Sequence, residues 1–232
     1  MIKRFIKGNR IITVVFVFAI FVVFAYMFSL DAIEWFKHAG DWFGVLFQLA
    51  IGYIINFMFY VTQVFIPNHK RNEMVEKCIR NRIEQIIKDM RDLIDKLSQI
   101  YLPDHKVGEY TKKDLALLLK KLDFADEVKV AKISSMPNQM KYFTVKEWMY
   151  KIIKDVEMEI DQLYKYYAVD ISPNLMDVLE KILKSNNHVH MPLFMESRVG
   201  VTFNSCDDIF MYPYYELICE LEQIKNSEYD RK

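Results

Sequence analysis

Glycine and proline are scarce in this chain, and its acidic and basic side chains cancel. Six glycines and six prolines among 232 residues exclude collagen-like and low-complexity classes and disfavour an all-β fold rich in turns. Lysine and arginine together number 31, as do aspartate and glutamate, so no basic excess indicates a general nucleic-acid binder. Three cysteines without close spacing exclude a disulfide scaffold and are typical of a reducing compartment.

Apolar residues, in contrast, are abundant, and many of them lie in two long uncharged runs. Residues 11–30 and 42–66 contain no charged side chain over 20 and 25 positions. A helix of 20 residues spans about 30 Å, the thickness of a hydrocarbon core. Buried helices of a soluble protein are the alternative, but uncharged runs of this length are typical of membrane-spanning helices. The first run is too long for a signal peptide and lacks a small-residue cleavage site, so we expect a retained anchor.

The flanking charges predict the orientation of these helices. Residues 1–10 carry four basic and no acidic side chains, residues 31–41 carry one basic and three acidic, and residues 67–82 carry five basic and two acidic. Basic flanks stay in the cytoplasm, so we expect both termini inside and the short connection outside. Trp35 and Trp42 then lie at the outer interface, which indole rings favour. Lys70 and Arg71, after Pro67, are predicted to contact lipid headgroups at the membrane exit.

The second apolar run carries a line of small and polar residues. A spacing of four places most of them along one slowly drifting ridge of a helix. Small residues permit close helix approach and amides form interhelical hydrogen bonds, so the ridge is either a packing surface for the first helix or a self-association face that lines an oligomeric pore. Two spans cannot enclose a channel alone. We name this set the polar line: Gly44, Gln48, Gly52, Asn56, Tyr60 and Gln63.

The rest of the chain shows helical periodicity. We predict a transmembrane hairpin over 1–67, with spans at about 11–30 and 42–66, and a cytoplasmic helical domain over 68–232 that forms an antiparallel bundle. The fold class is therefore an all-α membrane protein. The first cytoplasmic helix continues from the second span with a kink at Pro67. Helices are expected at 70–101, 111–124, 144–167, 172–187 and from Asp207 or Asp208 to 227, with a loop at 134–138. Three of these helix starts carry capping signals, namely the capping boxes Thr111/Asp114 and Thr144/Glu147 and the N-cap Ser172 before Pro173.

The least regular segment is 188–206, where residues 199–203 are candidates for an extended conformation. His188 and His190 form the closest histidine pair. In a strand their side chains would share a face and could hold a metal together with Cys206 or Asp207. In a loop they are ordinary polar residues, which is the interpretation we favour.

Motifs of catalysis are missing from the sequence. It contains no glycine-rich phosphate loop, no H-E-x-x-H, no C-x-x-C and no G-x-S-x-G, so we expect neither an enzyme nor a cofactor. Acidic residues at 155–161 and 216–222 are assigned to solvated helix faces. Tyrosines at 164–167 and 212–215 are assigned to the core rather than to a binding surface. An enzyme of unrecognised type that uses the acids or the histidine pair is the remaining alternative.

The second run and its exit, GYIINFMFYVTQVFIPNHKRNE, resemble small bacterial two-transmembrane effectors of anti-phage defence, including those encoded beside retron reverse transcriptases. The resemblance is confined to residues 44–72. Gly52, Tyr53, Tyr60 and Pro67, with Lys70 and Arg71, match as architectural positions. The resemblance implies residence in the inner membrane. It also implies a partner that holds the effector silent until infection, such as a reverse transcriptase with its RNA and DNA.

We therefore expect an inner-membrane effector that disrupts the membrane through oligomerised hairpins when a regulatory protein or ribonucleoprotein releases it. Membrane lipids and further copies of the chain are the expected contacts. Direct sequence-specific nucleic-acid binding is not expected. The alternative is a membrane-tethered adaptor or sensor whose hairpin is only an anchor.

Overall fold

The computed structural model describes residues 5, 6, 8–29, 38–106, 108–132, 141–196 and 210–230. Most of these residues are helical, which confirms the predicted helical class. The chain divides into two compact units, Met1–Glu73 and Met74–Lys232, which we call the N-terminal unit and the C-terminal unit. The predicted domain boundary between residues 67 and 68 stays a prediction. The helices are α1 Arg10–Ser29, α2 Ala39–Phe59, α3 Ile66–Tyr101, α4 Lys112–Lys121, α5 Val145–Tyr167, α6 Pro173–Leu183, α7 Asn186–Glu196 and α8 Met211–Ile224, with π-helical turns at Tyr60–Phe65 and Lys225–Tyr229.

Two helices are long and apolar enough to cross a membrane, as the sequence predicts. They are Arg10–Phe28 and the beginning of Ala39–Tyr101, which is helical throughout. In the most apolar stretch of each, only 6% of the residues are buried. A core helix of a soluble protein buries most of its apolar side chains, so these two helices differ from that class.

The C-terminal unit is built around a hydrophobic core of the ordinary kind. Helix α3 contributes residues three and four positions apart, which place one apolar stripe against its neighbours. The predicted helix at 70–101 is confirmed, and it ends at Tyr101 shortly before Pro103. Leu115 and Leu118 of α4 and Tyr214 of α8 are fully buried in the same core. The stripe of α3 consists of Ile79, Ile83, Ile86, Met90, Leu93, Ile94 and Leu97.

Three of the predicted N-caps in this unit are confirmed. The hydroxyl of Thr111 accepts a hydrogen bond from the backbone N–H of Asp114, and the carboxylate of Asp114 accepts one from the backbone N–H of Thr111. Thr144 and Glu147 pair in the same way. Ser172 caps α6 ahead of Pro173 in the first turn. These reciprocal bonds satisfy N–H groups that a helix leaves unpaired at its start.

The all-α prediction is wrong in one place, because a small antiparallel sheet precedes α5. Strand β1, Glu127–Lys132, pairs with β2, Lys141–Thr144, and the register shifts between Val128 and Ala131. The alternation over Glu127–Lys132 spans only a few residues, too short a signal to separate from a helix by periodicity. The predicted loop at 134–138 lies outside the described residues.

The region after Leu183 is also more regular than predicted. Helix α6 ends at Leu183, and α7 covers Asn186–Glu196 with Pro192 inside it, so the expected irregular segment begins with a helix. Asn187 is buried, and its side-chain amide donates to the carbonyl of Phe210 at 3.1 Å, which holds the helix start against the core. Residues 199–203 and the predicted caps Asp207 and Asp208 lie outside the described residues. The last helix begins at Met211 with Pro213 in its first turn.

Candidate functional site on helix α2

Helices α1 and α2 pack along a seam of aromatic side chains. Phe16 stacks on Phe57 with ring centroids 4.0 Å apart, and Tyr26 stacks on Phe47 at 4.4 Å. Between them, the small side chain of Ala50 is 7% exposed. Positions 47, 50 and 57 follow helical spacing, so they define the face of α2 that contacts α1.

Two tyrosine hydroxyls add polar contacts to this seam. Tyr53 donates to the backbone carbonyl of Ile12 at 3.0 Å, and Tyr60 donates to the side-chain carbonyl of Asn9 at 3.3 Å. Hydrogen bonds between apolar helices fix their register, because an unpaired hydroxyl in such surroundings is costly. The sequence singled out both tyrosines, but it gave no signal for Asn9 or Ile12 as their partners.

The centre of the polar line is exposed and is not packed against α1. Gln48, Gly52 and Asn56 are exposed, as is Gln63. With about 100° between residues, positions 48 and 52 lie nearly opposite Ala50 on the helix. The structure therefore does not place these three residues against α1. Their contact with another chain stays a prediction.

The ends of the polar line turn toward the side of the helix. A spacing of four residues advances the position by about 40° per step, so a line of five such positions winds part of the way around the helix. Gly44 and Tyr60 accordingly are half-buried, and Tyr60 reaches Asn9. A Cβ atom built on Gly44 or Gly52 would meet no atom within 4 Å. Neither glycine is therefore required by packing within the chain.

The exit of the second apolar run is shaped by a π-helical turn. In Tyr60–Phe65 the helix widens, and the N–H of Ile66 donates to the carbonyl of Val61, five residues earlier. Pro67 lacks an N–H, and its ring crowds the preceding turn of an α-helix, so a wider turn just before it relieves the conflict. The predicted continuation of the helix is confirmed, and the irregularity lies in the turn before Pro67.

The residues predicted to contact lipid headgroups are solvent-exposed. Pro67, Lys70 and Arg71 all lie on the surface, so their contact with lipid stays a prediction. His69, which the sequence did not single out, stacks on Phe65 with ring centroids 5.8 Å apart and places Nε2 3.2 Å from Glu73. Its imidazole therefore lies against Phe65 at the exit of the second apolar run.

His188 is structural in the C-terminal unit. Because His188 and His190 lie on α7 rather than on a strand, a separation of two residues points them to different sides, and the shared metal face required by that interpretation does not form. His188 lies 3.4 Å from Glu157 and 3.5 Å from the hydroxyl of Tyr214. Burial lowers the pKa of His188, although Glu157 opposes the shift. Within the described ranges, no three metal-ligating side chains come together.

Several of the acidic residues at 155–161 and 216–222 form ion pairs. Arg91 binds Glu222 through two hydrogen bonds of 2.7 Å, and Arg82 binds Glu159 at 2.6 Å. Lys181 lies 3.0 Å from Glu220. Carboxylates held in this way stabilise the contact between helices and are ordinary for exposed helix faces.

Comparison with known proteins gives no relative. No family model matches the chain, no curated protein matches it, and no solved structure matches it. The function must therefore be argued from the residues themselves.

Proposed function

We propose that the chain is an integral protein of the bacterial inner membrane, with both spans crossing the bilayer and both termini in the cytoplasm. The support is the exposed apolar surface of α1 and α2. Phe18, Phe21 and Phe28 are 63%, 66% and 84% exposed, and Trp42 is 65% exposed. Large contiguous apolar surfaces of this kind are rare on soluble monomers. In a bilayer the same surface contacts lipid chains.

The polar line gives this membrane protein a further role in our proposal. Copies associate through Gln48, Gly52 and Asn56, and the assembly disrupts the membrane without enzymatic chemistry. The observation that carries the proposal is the exposure of two amide side chains within an otherwise apolar surface, Gln48 nearly opposite α1 and Asn56 on the flank of α2. An amide facing lipid lacks a hydrogen-bond partner, so its placement there favours contact with another helix. The open space around Gly52 permits a second helix to approach closely.

The C-terminal unit is the part that receives the signal in this proposal. A regulatory protein or ribonucleoprotein, such as a reverse transcriptase with its RNA and DNA, holds the effector silent until infection. This step is supported only by the resemblance of residues 44–72 to retron-associated effectors. A gene for a reverse transcriptase beside the gene for this chain would strengthen it.

Membrane polarisation tests the effector proposal. The chain is expressed in bacteria without its proposed partner while a voltage-sensitive dye reports membrane potential. We expect depolarisation by the natural chain and its loss in Gly52→Leu and in Gln48→Leu combined with Asn56→Leu. Gly52 is exposed and a Cβ atom there would meet no atom of the single chain within 4 Å, so the effect of the substitution reports contact between chains. Val17→Leu, at an exposed position of α1, is the matched control and should depolarise normally.

The rival function is a tethered adaptor whose hairpin is only an anchor. It is favoured by the separate hydrophobic core of the C-terminal unit, which can hold a binding surface without help from the spans. In that case replacement of residues 1–66 by an unrelated two-span anchor preserves protection against phage. The effector proposal requires that this replacement abolish protection. Normal polarisation in every strain of the dye experiment would likewise contradict the effector proposal.

A further inference from the structure

One tyrosine of the 164–167 group does not join the core. Tyr164 is half-buried and its hydroxyl donates to the carbonyl of Met176 at 3.3 Å. Tyr167 is half-buried and shares a hydrogen bond with the thiol of Cys78, which raises the pKa of Tyr167. Tyr166, between them, is 60% exposed. Its ring faces outward at the end of α5, and the core assignment is wrong for this residue.

The turn that follows α5 presents a second apolar side chain. Val169 is 97% exposed, at a position where turns usually carry glycine, asparagine, aspartate or serine. The turn is well defined, because the N–H groups of Asp170 and Ile171 both donate to the carbonyl of Tyr167, at 2.9 and 3.1 Å. Ile171 is buried at 6% exposure. The fold therefore holds Val169 out from the surface.

This turn belongs to the end of the C-terminal unit at which the chain enters it. Arg82 of α3 binds Glu159 of α5 at 2.6 Å, and Tyr101 at the far end of α3 donates to Asp126, which precedes α5, so the two helices run antiparallel. The end of α5 at Tyr167 therefore lies on the side of Met74, the first residue of the unit. Met74 is itself 64% exposed. It follows Ile66, the last residue of the second uncharged run, by eight residues in the sequence. Exposed apolar side chains thus begin eight residues after the proposed span ends.

We propose that Tyr166 and Val169, with Met74, form a lipid-contact surface that inserts into the cytoplasmic face of the bilayer. Tyrosine rings favour the headgroup region, and small apolar side chains enter the boundary below it. The proposal rests on the proposed membrane insertion of α1 and α2, and it is independent of the polar line.

The charges of this surface indicate the kind of contact. Residues 67–82, which include Met74, carry five basic and two acidic side chains, and the exposed Lys165 and Asp170 near the end of α5 cancel each other. Apolar insertion should therefore occur in neutral vesicles, and the basic excess should strengthen it in anionic vesicles at low salt.

Spin labels measure this insertion directly in the full chain. The three native cysteines are replaced by alanine, a single cysteine is introduced by Val169→Cys, and the labelled protein is reconstituted in phosphatidylcholine vesicles. Collision rates with oxygen and with a water-soluble nickel chelate report immersion. Val189→Cys is the matched control, because Val189 is an exposed valine of the same unit, on α7. We expect an oxygen-to-nickel ratio about fivefold higher at 169 than at 189.

A third labelled position distinguishes failure of this inference from failure of the proposed membrane insertion of α1. Phe21→Cys on α1 must show strong oxygen contact if α1 crosses the bilayer. If position 21 is immersed while 169 and 189 give equal ratios, the inference fails and membrane insertion stands. If position 21 is accessible to nickel, both fail. Should the cysteine-free chain not fold, a photoreactive phenylalanine at Tyr166 replaces the label. It should crosslink to lipid, whereas the same group at Tyr142 of β2 should not, and equal crosslinking would overturn the inference.

Discussion

The two units of this chain contain the same types of apolar residue, but one unit buries them and the other exposes them. In the C-terminal unit Ile83, Leu93 and Leu115 are fully buried, whereas in the N-terminal unit Val17 and Phe21 are about two-thirds exposed, at 60% and 66%. The C-terminal unit carries its charged side chains outside, whereas the surface of α1 and α2 is apolar, as our proposed membrane insertion requires. The average hydropathy, which is near zero for the whole chain, therefore conceals two opposite distributions of apolar side chains.

The polar residues are distributed in opposite ways as well. In the C-terminal unit exposed polar groups pair with one another, as in the ion pair of Arg91 and Glu222. In the N-terminal unit Gln48 and Asn56 project from an apolar surface. In water such amides are unremarkable. In lipid they need a partner, which is why the polar line is the candidate site.

The largest expected loss of stability comes from the hydrophobic core of the C-terminal unit. Leu118→Ala removes a fully buried side chain of α4 and should cost about 2–5 kcal/mol of the free energy of unfolding, because it leaves a cavity. Its neighbour Leu117 is 45% exposed, so Leu117→Ala should cost less than about 1 kcal/mol. Urea unfolding in detergent, followed by circular dichroism, checks both. Equal losses would show that α4 is not packed as described.

A smaller loss is expected from the ion pair between α3 and α8. Arg91→Met breaks two hydrogen bonds to Glu222, and because both side chains are partly exposed the loss should be about 1 kcal/mol. Lys106→Met is the control, since Lys106 and Glu109 are almost fully exposed, and it should leave the midpoint unchanged. The same urea titration applies. A midpoint for Arg91→Met equal to that of the natural chain would contradict the assigned role.

Within the N-terminal unit, the two faces of α2 should respond differently. Tyr53→Phe removes the hydrogen bond to Ile12 and should lower the stability of the α1–α2 contact by about 0.6 kcal/mol, a typical value between apolar helices. Gln48→Leu changes the exposed face and should not weaken that contact. Thermal unfolding in detergent at low protein concentration measures both. A larger loss for Gln48→Leu would place Gln48 in the α1–α2 contact.

The smallest effect is a pH dependence of the C-terminal unit. Because burial lowers the pKa of His188 in the folded state, the unfolded chain binds a proton more readily as the pH falls below about 6.5. Stability should therefore decrease from pH 7 to pH 5. His188→Gln removes this component and should flatten the profile over that range. An unchanged slope in the variant would assign the pH dependence to other groups.

Much of the fold was readable from the sequence, because the strong signals were local. Uncharged runs, the stripe of α3 and the capping pairs at Thr111 and Thr144 depend on spacing alone, and the structure contains them. The β1–β2 pair depends on contacts between separated short segments, which periodicity does not register. Helix α7 contains Pro192, a helix breaker in isolation, and tertiary contacts such as that of Asn187 override it.

The residues of the candidate site could be predicted from the sequence, but the side of α2 on which they lie relative to α1 could not. A spacing of four placed Gln48, Gly52 and Asn56 on one ridge, yet spacing cannot tell which face of α2 meets α1. That choice depends on how Phe57 and Ala50 fit the side chains of α1, which is a property of two segments together. Val169 was not recognised either, since an isolated valine in a turn carries no periodic signal.

The central claim is that the N-terminal unit spans the membrane with both ends inside, and cysteine labelling tests it most directly. A single cysteine is placed by His38→Cys in the proposed outer connection or by Lys113→Cys in α4, in a chain without native cysteines. Intact cells, or spheroplasts where an outer membrane is present, are treated with a membrane-impermeant maleimide. We expect labelling at 38 at once and at 113 only after the membrane is permeabilised. Equal labelling at both positions before permeabilisation would contradict the account.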